Sequence, residues 1–129
     1  MREIKFRAWD KADKKYYREC DWLCWKPGGI QFCWTDYEKD ETMVTQLTKG
    51  TYVLLQYTGL HDKNNKEIYE GDIIKTESDT SVLIGWNDIY ASFCLTKKGW
   101  ASAHYFGEAA DPDGCEVIGN IYENEGLLK

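Results

Sequence analysis

The sequence predicts a mainly β fold, or an α+β fold with little helix, and three observations carry that prediction. Apolar and polar residues alternate along several short runs, the period-two signature of strands with one covered face. Aromatic residues are abundant, with six Trp and nine Tyr, and such rings favour pleated, half-buried surfaces. The runs recur at roughly eight-to-twelve-residue spacing between turn signals, the pattern of a small barrel or sandwich. A chain of 129 residues makes one compact domain the expectation, or two small lobes sharing a core.

Taken in order, Ile4 to Trp9 opens the chain as a strand, with Ile4, Phe6 and Ala8 on a buried face and Lys5, Arg7 and Trp9 on the other. Asp10 to Lys15 is a polar turn, and Tyr16 to Trp25 reads as a returning strand. Pro27-Gly28-Gly29 is a strong turn signal, and Ile30 to Trp34 a further strand. Asp36 to Gly50 is acidic, then Thr-rich, with scattered Met43, Val44 and Leu47, and allows a short helix, a loop or an irregular strand. Thr51 to Tyr57 is a strand, followed by the turn His61 to Lys66, whose Asn residues tolerate left-handed conformations. Ile68-Tyr69 leads into Glu70-Gly71-Asp72. Then Ile73 to Thr76, Val82 to Trp86 and Ser92 to Leu95 read as three successive strands. Asp111 to Gly114 is a turn, and Cys115 to Tyr122 the last strand. The expected organisation is a single domain over 1–129, with a β-rich lobe at 1–50 that contains the poorly readable segment 36–50, and a barrel lobe at 51–129.

The formal net charge of −6 opposes long-range attraction to nucleic acid or to an anionic membrane. No run approaches the roughly 20 apolar residues of a membrane span, and Met1 to Lys5 lacks the apolar run of a signal peptide. The five cysteines, Cys20, Cys24, Cys33, Cys94 and Cys115, lack the paired spacings of a zinc site, and neither His61 nor His104 supplies a ligand at a recognisable distance. Thiols and no metal are expected. No nucleophile elbow, phosphate loop, metalloprotease helix or deaminase signature occurs, so neither catalytic residue nor cofactor is assigned. His104 is a candidate pocket residue. A dyad of His104 with Cys94 or Cys115 has no supporting motif.

The unusual resource is aromatic. Trp22, Trp25, Phe32, Trp34 and Tyr37 crowd together, with Arg18 and Lys26 nearby. Trp22 and Trp25 are three apart, so a strand holding both puts them on opposite faces, and one of them faces away from the local core. Exposed Trp and Tyr anchor interfaces or stack on nucleobases. The candidate contact residues are therefore Trp22, Trp25, Lys26, Trp34, Trp86, Tyr90 and His104, with core packing as the competing reading for Trp86.

Three blocks add a resemblance. Met1 to Asp10, Gln56 to Ile73 (QYTGLHDKNNKEIYEGDI) and Glu116 to Asn124 (EVIGNIYEN) resemble, in this order, the YopX family of phage and prophage proteins. The resemblance implies an SH3-like small barrel in the C-terminal half, self-association and a viral origin, hence the cytoplasm of a bacterial host. It supplies no catalytic residues. Glu125-Gly126-Leu127-Leu128 stands where the family often has a proline, which implies a less rigid tail, and the stretch from Cys20 to Gly50 carries no resemblance. Glu70-Gly71-Asp72-Ile73-Ile74 resembles the entry to the first strand of SH3-like barrels. There Gly71 is expected in a conformation barred to other residues and Asp72 to accept backbone N–H groups. Gly119, within an apolar strand, is expected to mark a bulge or a close backbone approach.

Two classes of function compete. One is a non-enzymatic, oligomeric accessory protein that binds a host protein or a small nucleotide-type ligand, counter-defence by sequestration being one form, with Lys26, Arg18 or Lys97-Lys98 balancing phosphates. The other is nucleic-acid binding through the barrel, for which Lys14-Lys15 and Lys97-Lys98 form too small a basic face.

Overall fold

The computed structural model describes residues 3–17, 22–36, 38–100, 104–106 and 111–128. Its curled sheets, half-barrel in form, make a mainly β fold, as expected. Two compact units divide the chain, residues 5–55 and residues 1–4 with 56–129.

The first unit begins with the hairpin of β1 (Phe6–Asp10) and β2 (Lys15–Tyr17). Asp10 shapes its turn by accepting the N–H groups of Ala12 and Asp13 at 2.9 and 3.2 Å. The sequence called for one buried face on the first strand; instead Arg7, Ala8, Trp9 and Asp10 are all buried, and Ile4 is exposed. The cause is Tyr16, which covers the second face. Its ring meets the edge of Trp9 at 4.9 Å and lies 4.4 Å from the Arg7 guanidinium carbon, so aromatic and cation–π contacts take over from solvent.

Three further strands, β3 (Trp22–Lys26), β4 (Gly29–Asp36) and β5 (Glu41–Thr48), form an antiparallel sheet in that order. The expected strand from Tyr16 to Trp25 is thus two strands, β2 and β3, in different sheets. The segment that read ambiguously is a regular strand: β5 pairs residue by residue with β4, from Asp36 opposite Glu41 to Gly29 opposite Thr48. Its Thr residues are β-formers, and the long partner strand supplies the hydrogen bonds that its weak alternation did not announce. Ala8, Ile30 and Leu47 form the core of this unit, with Tyr17, Leu23, Tyr52 and Leu54 packed on it.

The chain leaves this unit along β6 (Tyr52–His61). In the second unit, β6 pairs with β7 (Glu67–Tyr69), and a five-stranded antiparallel sheet follows. Its members are β8 (Asp72–Lys75), β9 (Ser81–Asn87), β10 (Ser92–Thr96), β11 (His104–Tyr105) and β12 (Glu116–Asn120). The meander β8-β9-β10-β11 is completed by β12, which returns to pair with β8 after a 3-10 turn at Pro112–Gly114. This is SH3-like connectivity. Ile68, Ile74, Val82, Ile84, Leu95 and Cys115 form its core.

Gly71 holds φ 86°, its N–H donates to Ile84, and Asp72 accepts the N–H of Tyr69 at 2.8 Å. The register of β12 shifts between Val117 and Gly119, and a Cβ on Gly119 would crowd Asn124 and Leu127. Glu125–Leu128 closes as a 3-10 turn, with Leu127 N–H donating to Asn124 O at 2.9 Å.

Asp62 ties this unit together. Its carboxylate accepts the N–H groups of Asn64 and Lys66 within the turn and of Val117 on β12, each at 2.9 Å. Burial pushes this carboxyl up, but the three N–H donors and the nearby Lys66 charge outweigh it, and the group is held below its ordinary value of 3.8. A carboxyl depressed by folding stabilises at pH values above the unfolded pKa, and that stability is lost as pH falls through the folded pKa. Asp62→Ala is therefore expected to cost about 2–4 kcal/mol at neutral pH in denaturant titrations, with the gap to the parent narrowing as pH falls below about 4. A second expectation concerns packing. A Cβ on Gly29 would collide with the backbone carbonyl of Leu47, whereas one on Gly85 meets only Cys94 Sγ at 3.7 Å. Gly29→Ala is expected to destabilise by about 1–3 kcal/mol, and Gly85→Ala to shift the melting temperature far less.

Candidate functional site

Two tight turns in the first unit enclose a concavity. The first joins β3 to β4 through Pro27-Gly28, with Lys26 opposite Gly29. Proline pre-sets the first central position, and Gly28 takes φ 83°, which only glycine adopts without strain. The second joins β5 to β6 through Thr48-Lys49-Gly50-Thr51. Gly50 takes φ 88°, and Thr51 donates to Thr48 O from both its N–H, at 3.0 Å, and its hydroxyl, at 2.6 Å. The Lys49 N–H donates to Gly28 O, which fastens one turn to the other. Lys11 braces the second turn, its N–H bonding Thr51 O at 2.9 Å and its ammonium Gly50 O at 3.4 Å.

Between the turns lies a concavity of 340 Å³ lined by Trp25, Lys26, Gly28, Gly29, Lys49 and Tyr52. Trp25 stands opposite Ile30 and on the same face as Leu23, both of which belong to the core region. It is nevertheless 69% exposed, one residue from the turn end of β3. Tyr52 packs partly on the core. Among the described residues, no hydrogen bond or ion pair engages the ammonium group of Lys26 or Lys49. An open indole and two cationic ends therefore line one depression, in a chain with net charge −6.

Trp22 and Trp34 occupy β3 and β4, and Arg18 lies outside the described residues. Trp86, Tyr90 and His104 belong to the second unit. Trp86 is half-exposed at the end of the face that carries Val82 and Ile84, and packs edge-on against Phe93 at 5.0 Å. Tyr90 is exposed and meets Tyr105 at 6.0 Å, and His104 is exposed against Trp100 at 4.8 Å. Trp25 and Lys26 are thus brought together, while the side chains of Trp22 and Trp34 lie outside the described ones. Sequence reasoning missed Lys49 and Tyr52. The signal available was the pair of short Gly-containing turns, Pro-Gly-Gly and Lys-Gly-Thr, which pairing of Gly29 with Thr48 brings to the same end of one sheet.

Burial pushes the Cys94 thiol up, and burial together with the charges of Glu77, Asp111 and Asp62 does the same for Cys115, whose Sγ donates to Asp111 O at 3.1 Å. Both therefore disfavour the nucleophilic thiolate at neutral pH. Among the described residues no three His, Cys, Asp or Glu side chains cluster as metal ligands, and no helix is long and apolar enough to cross a membrane.

Comparison with known proteins places this geometry in a family. A search of curated proteins finds no match. The crystal structure of protein EF1440 from Enterococcus faecalis is similar over 100% of both chains, with a TM-score of 0.67 at 25% sequence identity. The family model described as YopX protein matches residues 5–129. With nearly its whole length matched, the chain belongs to the YopX family.

Proposed function

We propose that this protein is a non-catalytic, self-associating binding module that captures a small nucleotide-type anion between its β3–β4 and β5–β6 turns. The observation that carries the reading is the exposed Trp25 ring beside the uncommitted Lys26 and Lys49 ammonium groups in one concavity. A flat base stacked on an indole gains about 1–3 kcal/mol, and two lysines neutralise a phosphate through charge-assisted hydrogen bonds. The volume falls at the small end of the usual ligand-site range, about 300–1,000 Å³, which suits a mononucleotide or a compact cyclic nucleotide. Overall acidity supports a small ligand over duplex DNA or RNA, whose phosphates the remaining surface repels. The unreactive setting of Cys94 and Cys115 supports binding over catalysis. In a viral setting such a module acts by stoichiometric sequestration of a host nucleotide signal. A second reading, docking of a host protein, is favoured by a separate observation, the exposed Ile89, Tyr90, Trp100 and Tyr105 of the second unit.

Calorimetric titration with nucleoside mono-, di- and triphosphates and cyclic nucleotides tests the proposal. Saturable binding with quenching of Trp fluorescence is expected, with the nucleotide recovered intact. Lys26→Ala and Lys49→Ala should each weaken it about fivefold to tenfold, and Trp25→Ala about tenfold or more. Trp25→Ala should also leave the melting temperature nearly unchanged, because the ring is mostly in solvent. Absence of binding at millimolar nucleotide, or conversion of the nucleotide to product, would refute it.

A further inference from the structure

We infer that the edge of β5 left unpaired among the described residues pairs with β5 of a second copy, antiparallel across a twofold axis at Thr45. This deepens the self-association in the reading above by assigning it a surface and a register.

The inference starts from how the strand edges differ. An open edge offers unpaired N–H and C=O groups to any incoming strand, and proteins usually blunt it by shortness, bulges, proline or charge. Among the described residues, β2 and β7 are three residues long and β11 two. The β3 edge runs into Pro27, and β12 carries the register shift between Val117 and Gly119. β5 is not blunted by shortness, bulge or proline. It is eight residues long, ends its sheet, contains no proline, and pairs with β4 without interruption. Its only charge is Glu41 at its first position, and Val44 is 52% exposed at its middle.

Symmetry then limits the register. Edge-to-edge antiparallel pairing of identical strands needs a twofold axis perpendicular to the sheet, and residues directly opposite share a face. The two residue numbers in each pair must therefore have the same parity, so the register moves only in steps of two. An axis at Thr45 places Glu41 opposite Lys49 twice, Thr42 opposite Thr48, and Val44 opposite Gln46, so that Glu41 of the second copy and a bound phosphate compete for the Lys49 ammonium. An axis at Val44 sets Glu41 against buried Leu47 and Lys39 against Lys49. An axis at Gln46 sets Lys49 against Met43. Only the first register matches charge to charge at both ends. Like-charge contact in the second and an uncompensated lysine in the third disfavour them. One strand edge buries less than the ~1,600 Å² of a standard stable interface, so the contact is concentration-dependent.

Sedimentation velocity of the full chain up to about 1 mM, with charge reversal and cysteine trapping, tests this. Association is expected, and Glu41→Lys or Lys49→Glu alone should weaken it about tenfold, since two symmetric ion pairs become two repulsions. The double variant should recover the parent value within about twofold. Thr45→Cys, oxidised at low excess, should give a covalent dimer whose linked peptide joins position 45 to position 45, at the Cα spacing a disulfide accepts. This trapping remains informative if a charge variant folds poorly, which circular dichroism reports. A persistent monomer overturns the inference. So does association with no recovery in the double variant and no 45-to-45 link, which would move self-association to another surface while leaving the nucleotide reading to its own titration.

Discussion

The hydrogen bond from Lys49 N–H to Gly28 O is the contact on which the proposed site depends. It joins two turns that lie apart in sequence and fixes the distance between the strand ends that carry Trp25 and Lys26 on one side and Lys49 and Tyr52 on the other. Its geometry is possible because Gly28 and Gly50 both take positive φ, and because Gly29 has no side chain where the Leu47 carbonyl approaches. Three glycines, one proline and one amide proton thus convert the end of an ordinary three-stranded sheet into a depression. The cationic ends project there because turn residues stay in solvent, while the apolar residues behind them, Ile30 and Leu47, are held in the core.

The second unit follows a different logic. Its strands are short and its turns polar, so backbone groups that leave the sheet need partners. Carboxylates and amides supply them: Asp62 bridges its own turn to β12, Asp72 caps the turn before β8, and Asn120 accepts the N–H groups of Tyr122 and Glu123. These are the residues of the family-like blocks, and their work in the structure is to satisfy buried backbone. As expected for Asp72, the acidic, motif-rich stretch is a set of internal braces. The outward-facing features of this unit are instead aromatic, in Trp86, Tyr90, Trp100 and Tyr105.

Much of the fold was legible because period-two alternation and glycine-bearing turns are local signals. The strands β8, β9 and β10, and the turns at Pro27-Gly28 and Asp111–Gly114, follow directly from them. What escaped was set by partners distant in sequence. β5 alternates poorly and becomes a strand because β4 offers eight residues to pair with. The second face of β1 is buried because Tyr16 folds back over Arg7 and Trp9, which no pattern within the strand encodes. At the site, Trp25 and Lys26 were visible as an aromatic beside a charge, whereas Lys49 and Tyr52 enter only through the contact between two turns. The aromatic surplus was visible as composition, but its division between two units was not.

The most direct measurement is a two-dimensional ¹H–¹⁵N spectrum followed during titration with adenosine monophosphate. If the two turns hold the ligand, shifts concentrate at the Trp25 indole N–H and the amides of Gly28, Gly29, Lys49 and Tyr52, and the second unit stays silent. Shifts confined to the strands bearing Trp86 and Tyr105, or no shifts at millimolar nucleotide, would contradict the assignment of this site.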